Sequence, residues 1–484
     1  LWVGTHVGIS KWNRSVNSFQ LVNSKTAAGK ALSGDIIYSF AEADNGDLYL
    51  GTWEAGINVI DVNKSTISYI TAQPGVDGAL QDDRITTLLI DSKQNLWVGT
   101  YRTGVFFRKK ESDTFIQYSH DPDDDSTLSS NLISKIMEIG NGNLAVGTYG
   151  GGINIITSSG EIQHFRHDVK DEKSLSDNRI THMLKGENNN MWVATHGGGL
   201  NHFDLATKEF MTVPIESKEI WSILLTNDDL WFGTSDKGVG RISTSDLENE
   251  QYDFEYIGLN QGLAANFAYG LLSDEAGYIW VSTTKGISFI SPEDNKVSNF
   301  NINHGLQGED FNSSAFFKGK EGRMFFGGSN GFNTFISSNV PLNLYKPPVV
   351  LTAYRRLNES IPIERAFNSE GVIELDYDEA NFGFSFAALD FTRPDYNLYQ
   401  YRLSADESDW IDLDNSNQVS LNLTDGSYVV QVRGSNNDGI WSDDILEIPV
   451  LVNPPFYRSS IAYFTYFWIV VFIAYRLFTM AQRK

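Results

Sequence analysis

At 484 residues, with 41% hydrophobic and 13% aromatic content, the chain is long enough for several domains with sizeable cores. Its 37 Lys and Arg against 61 Asp and Glu leave a net charge of −24, a field that repels phosphate backbones and anionic lipid surfaces, so nucleic acid is disfavoured as a partner. The absence of cysteine excludes disulfides, thiol nucleophiles and thiolate metal sites, without choosing between cytoplasm and periplasm.

From the first residue a five-residue core recurs: LWVGT (1–5), LYLGT (48–52), LWVGT (96–100), LAVGT (144–148), MWVAT (191–195), LWFGT (230–234), IWVST (279–283) and MFFGG (324–328). Second residues of successive copies lie 47, 48, 48, 47, 39, 49 and 45 apart, and the runs between them are short and β-like, which is the pattern of stacked propeller blades. In one unit the apolar runs Ile85 to Asp91, Asn95 to Thr100, Gly104 to Arg108 and Thr114 to Tyr118 are split by turn-forming residues, giving four strands of one antiparallel sheet. Trp97 and Val98 are expected to fill the gap between neighbouring sheets, with Gly99 and Thr100 leading into a tight turn where a Cβ would crowd the backbone.

Innermost strands are expected near Ile36, Ile85, Ile133, Ile180, Ile220, Ala268 and Ser314, and outermost strands near Phe19, Ile67, Phe115, Ile162, Phe210, Phe254 and Val297. The count closes as a seven-bladed ring over residues 19–340 if the strand Phe19 to Val22 completes the last blade, which otherwise stops near Phe335. An eight-bladed ring lacking its first strand is the alternative. Residues 1–18 are then left over, as the remnant of a blade from a preceding propeller, and the start inside a repeat core without methionine reads as a fragment.

Between the blades run acidic linkers such as 120–131 and 167–178. An acidic linker, SLSDN-like residues, an apolar strand, LWVGT and then Gly197 to Asn201 together resemble the two-component regulator propeller repeat, over about residues 1–340. The resemblance implies the sensor ectodomain of a hybrid two-component system or related membrane receptor.

After Lys346-Pro347-Pro348 the period ends, and residues 341–455 read as a fibronectin- or immunoglobulin-like β-sandwich with strands at Val372 to Leu375, Phe382 to Phe386, Tyr399 to Leu403, Val419 to Leu423, Ser427 to Arg433 and Ile445 to Leu451. Tyr399 to Leu403, Trp410, Gly426-Ser427-Tyr428, Asn437 to Ser442 and Pro454-Pro455-Phe456 resemble the triple-tyrosine domain, which in that family lies between propeller and membrane. Residues 456–484 hold an apolar run, counted from Ser459 to Met480, that spans about 33 Å as a helix, enough to cross a bilayer. Arg476, Arg483 and Lys484 follow it and only Arg458 precedes it, so the positive-inside bias places the tail in the cytoplasm and residues 1–458 in the periplasm, anchored in the inner membrane.

Asp121 to Asp125 lacks the glycine and glutamate of a calcium loop, the eight histidines form no chelating pair, and no nucleophile elbow, phosphate loop or dinucleotide fingerprint is present. Neither metal, cofactor nor catalysis is expected of this segment. The turns after each five-residue core emerge on one face of the ring and carry Trp53, Glu54, Tyr101, Arg102, Tyr149, His196, Lys237, Lys285 and Asn330. Aromatic faces stack on the C–H faces of sugars while charged and amide groups take hydroxyls, so these are the candidate ligand-binding residues. The functional expectation is a periplasmic receptor for an oligosaccharide or other small ligand, acting as a homodimer through the sandwich and signalling to an output domain beyond Lys484. The alternatives are a membrane-anchored propeller lyase or hydrolase, and a protein-interaction scaffold.

Overall fold

A computed structural model describes residues 2–5, 8–11, 19–26, 31–61, 64, 66–187, 189–340, 343, 345–357, 359–379, 381–392, 394–403, 410–413, 415–458 and 460–482. It divides into two units, Leu1–Pro341 and Leu342–Lys484.

The first unit is a seven-bladed β-propeller. Seven four-stranded antiparallel sheets run from an innermost to an outermost strand, six of them in sequence order. The inner strands are Ile37–Glu42, Ile85–Ile90, Ile133–Gly140, Ile180–Lys185, Ile220–Leu225, Ala268–Ser273 and Phe311–Lys318, for blades 1 to 7. Blade 7 takes its fourth strand from the other end of the propeller: Gln20–Val22 pairs antiparallel with Gly331–Ile336, through Gln20 with Thr334, Leu21 with Asn333 and Val22 with Phe332. The preceding Phe19 fixes this closure by packing its ring 4.7 Å from Phe335 and 5.1 Å from Phe300. Trp2–Thr5 and Gly8–Lys11 form a separate two-stranded sheet.

The repeated core has two distinct jobs. Thr52, Thr100, Thr148, Thr195 and Thr234, all fully buried, each donate an Oγ1 hydrogen bond of 2.8 to 2.9 Å to the glycine carbonyl four residues on, which closes the turn between second and third strands. The glycine before that threonine is not the turn residue expected from the sequence. A Cβ on Gly99 would lie 2.7 Å from Ile133 Cγ2 of the next blade, and one on Gly51 or Gly147 would meet Ile85 or Ile180 at 2.6 and 2.7 Å. Glycine stands there because the inner strand of the next blade packs directly on it. Trp97 fills the gap between blades 2 and 3 as expected, its ring tilted against Phe107 at a centroid distance of 4.4 Å, while its indole N–H donates to Asp91 Oδ2 at 2.9 Å.

Blade 7 also departs from expectation at its inner strand, which begins at Phe311 rather than Ser314. Phe311 pairs with Gly328 and Phe316 with Phe326, so residues 312–315 bulge out opposite Gly327 alone.

The second unit holds a β-sandwich of a four-stranded and a five-stranded sheet. All six expected strands are present. The N-terminal strands Val349–Arg356 and Glu359–Ile361 were not anticipated. The two inner faces bury Tyr354, Phe382, Phe384 and Phe386 against Val430, Val432, Ile448 and Val450. Trp410 packs against both the Arg402 and the Arg433 guanidinium groups, at 4.6 and 4.4 Å from its ring centroid. The helix Ser460–Gln482 follows, and its stretch Ile461–Gln482 is long and apolar enough to cross a membrane, with no residue of that stretch buried inside the protein.

Candidate ligand cup at the propeller mouth

The cup is built by a repeated irregularity. In blades 1 to 6 the pairing between inner and second strand skips one residue just after the first inner position, at Tyr38, Thr86, Ser134, Thr181, Trp221 and Tyr269. A bulged residue is released from the alternation of the strand and re-aims its side chain. The residue before each is fully buried between blades. Five of the six released side chains line one cavity of about 370 Å³, with Trp53, Tyr101 and Tyr149 from the turns and Ser313 and Ser314 from the blade 7 bulge.

Its wall is aromatic. Trp53 lies 5.1 Å from Tyr38 and 4.8 Å from Tyr101, and on the other side Tyr149, His196, Trp221 and Phe267 follow one another at 5.7, 5.4 and 5.7 Å. Thr86, Ser134, Thr181, Ser313 and Ser314 complete its lining, although the Thr86 and Ser134 hydroxyls are themselves buried and Thr181 Oγ1 donates to the Ile220 carbonyl. Apolar ring faces with a few hydroxyls are suited to a ligand that is amphipathic on the scale of a sugar ring.

The charges around the mouth are largely spoken for. Arg84 grips Asp82 through two bonds of 2.8 and 2.9 Å while lying 5.2 Å over the Tyr101 ring, and Arg179 grips Asp177 in the same way. Arg102 lies 5.6 Å over Tyr101. At the rim, burial and the nearby Asp310 carboxylate push the Tyr269 hydroxyl up to about 12, and burial raises Asp310 itself although it accepts a hydrogen bond from Tyr269.

Of the sequence candidates, Trp53, Tyr101 and Tyr149 line the cavity together. His196 packs between Tyr149 and Trp221, and Glu54 and Arg102 follow Trp53 and Tyr101 on the same turns. Glu54 holds a left-handed φ of 85°, a conformation that Gly150 and Gly197 take at the equivalent positions of blades 3 and 4. Lys237 is not brought to the cup: it pairs with Glu216 and borders a separate depression with Tyr256 and Asn266. Lys285 and Asn330 also lie outside its lining, their backbone N–H groups donating to Thr283 Oγ1 and Gln307 Oε1. Tyr38 and Trp221 were missed, although each is an aromatic residue directly after a buried inner-strand isoleucine, and that was the available signal.

A second cleft, of about 340 Å³ between blades 2 and 3, is bordered by Asp91, Lys93, Trp97 and Glu138. Its carboxylates are already engaged, Asp91 by Asn95 and Trp97 and Glu138 by Ser92, so it offers a ligand less than the cup does.

Comparison with known proteins agrees with the fold. Residues 79–102 and 174–197 match the two component regulator propeller model, and residues 390–453 match the Y_Y_Y domain model. Over 221 residues, 44% of its length, the chain is 28% identical to Histidine kinase P4 of Formosa agariphila, of which it spans 16%. Its fold matches the extracellular domain assigned to the hybrid two component system BT3049 of B. thetaiotaomicron, with a TM-score of 0.66 and 24% identity over 94% of this chain and 60% of that one. The corresponding domain assigned to BT4673 of the same bacterium gives 0.55 and 24%, over 94% and 61%. The chain thus spans less than two thirds of each of these relatives. Both family models are thus matched in order along the chain, the two component regulator propeller model within the propeller and the Y_Y_Y domain model within the sandwich.

Proposed function

We propose that the chain is the ligand-sensing extracellular part of a single-pass membrane receptor, and that the aromatic cup takes an oligosaccharide. The observation that carries this is the convergence of Tyr38, Trp53, Tyr101, Tyr149 and Trp221 on one cavity that Ser313 and Ser314 also border. Ring faces shed water readily onto sugar C–H surfaces, and hydroxyls exchange hydrogen bonds with sugar hydroxyls at little net loss. The likeness to extracellular domains assigned to hybrid two component systems supports the sensor role. In this proposal the propeller of residues 19–340 receives the ligand, and residues 1–18 belong to a blade of a preceding propeller. The sandwich of residues 341–455 transmits a change in dimer geometry, and the helix carries it through the inner membrane to a cytoplasmic output domain.

Titration calorimetry of the detergent-solubilised chain against defined oligosaccharides tests the site. One glycan class should bind, and Trp53→Ala and Tyr149→Ala should each weaken it by about tenfold or more, consistent with ~1.4 kcal/mol per aromatic contact. Binding that survives both substitutions unchanged would place the ligand elsewhere.

A further inference from the structure

One step along each inner strand from the bulge lies a second layer of side chains: Ser39, Thr87, Lys135, His182, Ser222, Gly270 and Phe316, opposite Gly51, Gly99, Gly147, Ala194, Gly233, Ser282 and Phe326. Four of these seven, Ser39, Thr87, Ser222 and Gly270, are small or hydroxylic, as the crowded interior of a ring demands. Lys135 and His182, on adjacent blades, are not. The Phe316 ring, from the distant blade 7, reaches His182 at 5.4 Å.

Among the described residues, neither Lys135 nor His182 has a carboxylate partner within ion-pair distance, and His182 Nδ1, Ser39 Oγ and Ser222 Oγ are buried with no hydrogen-bond partner. His182 is 6% exposed and Ser222 fully buried. Lys135 retains some accessible surface although protein surrounds it, so there is space against its side chain. The acids of the neighbouring levels are engaged elsewhere: Glu138 with Ser92, Glu42 with the Lys320 backbone and Asp310 with Tyr269. An ammonium enclosed beside an imidazole, with hydroxyl donors at the same level and no acid, is an uncompensated arrangement, because a buried charge is retained only when paired. Burial accordingly holds the Lys135 amine down to about 8, and burial followed by the Lys135 charge holds His182 well below the usual imidazole range.

We propose that Lys135 and His182 hold a small monovalent inorganic anion, of the size of chloride, inside the propeller ring. The ammonium supplies the countercharge and the imidazole an N–H donor, so a neutral His182 with a charged Lys135 and one anion leaves the layer without net charge. The site lies apart from the oligosaccharide chemistry proposed for the cup, and it stands or falls independently of it.

The test is thermal unfolding of the whole chain in detergent, in sodium chloride, sodium bromide and sodium gluconate at matched ionic strength. Chloride and bromide should raise Tm saturably over gluconate, by about 2 to 4 °C at 0.15 M, because a ligand that binds only the folded state stabilises it by mass action. Lys135→Met should fold and lose that increment. If it does not fold, His182→Phe, which keeps the ammonium, should raise the half-saturating halide concentration by about tenfold. In bromide-soaked crystals an anomalous peak should lie between the two side chains. Equal Tm in halide and gluconate, or a halide increment unchanged in the variant that folds, would mean that water occupies the space and would overturn the proposal.

Discussion

Replacing Gly99 by alanine measures how closely two blades approach. The added Cβ would lie 2.5 Å from Thr87 Cγ2 and 2.7 Å from Ile133 Cγ2, where ordinary carbon contacts are about 3.5 to 4.0 Å. Each neighbour would have to retreat by roughly 1 Å, yet Thr87 is 2% exposed and Ile133 fully buried, so neither has room. Such overpacking costs about 1 to 3 kcal/mol. Against it stands the lost freedom of the unfolded chain, which favours alanine by ~0.4 to 1 kcal/mol since Gly99 has no left-handed φ. The net expectation is a loss of about 1 to 2 kcal/mol, read as a lower urea midpoint of tryptophan emission at unchanged slope. Adding Thr87→Ser, which removes the nearest methyl, should recover part of the loss. Should Gly99→Ala prove as stable as the parent or more so, the glycine would be serving backbone conformation alone, and the inter-blade account would be wrong.

Trp97→Ala, which empties the gap between blades 2 and 3 and removes one of the hydrogen bonds to Asp91, should cost about 3 to 5 kcal/mol by the same unfolding assay; a loss under ~1 kcal/mol would mean the ring is not buried there. The Lys135 amine releases its proton near 8 in the folded chain against 10.5 when unfolded, so between those values the unfolded state holds the extra proton. In gluconate, stability should therefore rise with pH by up to about 1.4 kcal/mol per unit across that window, and Lys135→Met should flatten the slope. A reporter active only in the cytoplasm should work fused after Lys484 and fail after Pro341; the reverse pattern would invert the proposed topology. Single cysteines placed from Pro454 to Ser460, in a chain that has none of its own, should crosslink between subunits in membranes with a ligand-dependent yield. No crosslink at any position, with or without an activating ligand, would remove the dimer model.

The blades were legible because each must solve the same packing problem, so Trp97, Val98 and Thr100 recur at fixed spacing whatever the ligand. Closure by the strand after Phe19 was legible for a related reason, since a ring with one strand short has an unpaired edge. What sequence could not show is a bulge, which adds one residue without changing composition. Tyr38 and Trp221 look like ordinary strand residues until the pairing is seen to skip them, and residues 312–315 look like more strand. The glycine of the core was visible, but its reason was not, because its constraint comes from Ile133 some thirty residues later. The three turn aromatics Trp53, Tyr101 and Tyr149 were found because turn position alone sets which face they reach, whereas whether Lys237 swings to the mouth or to Glu216 depends on a partner from another loop.

The pairing of Gln20–Val22 with Gly331–Ile336 has a consequence for biogenesis. Contacts between residues more than three hundred positions apart are the slowest to form, because the loop between them must be closed first. As the chain is synthesised, blades 1 to 6 can assemble while blade 7 waits for a strand made long before, so Gln20 to Val22 must stay unpaired until residue 336 has been added. During that interval the exposed strand edges at both ends of the arc are open to pairing with other chains. A holdase, or a slow step that ends only when the ring shuts, is the expected companion of such a fold.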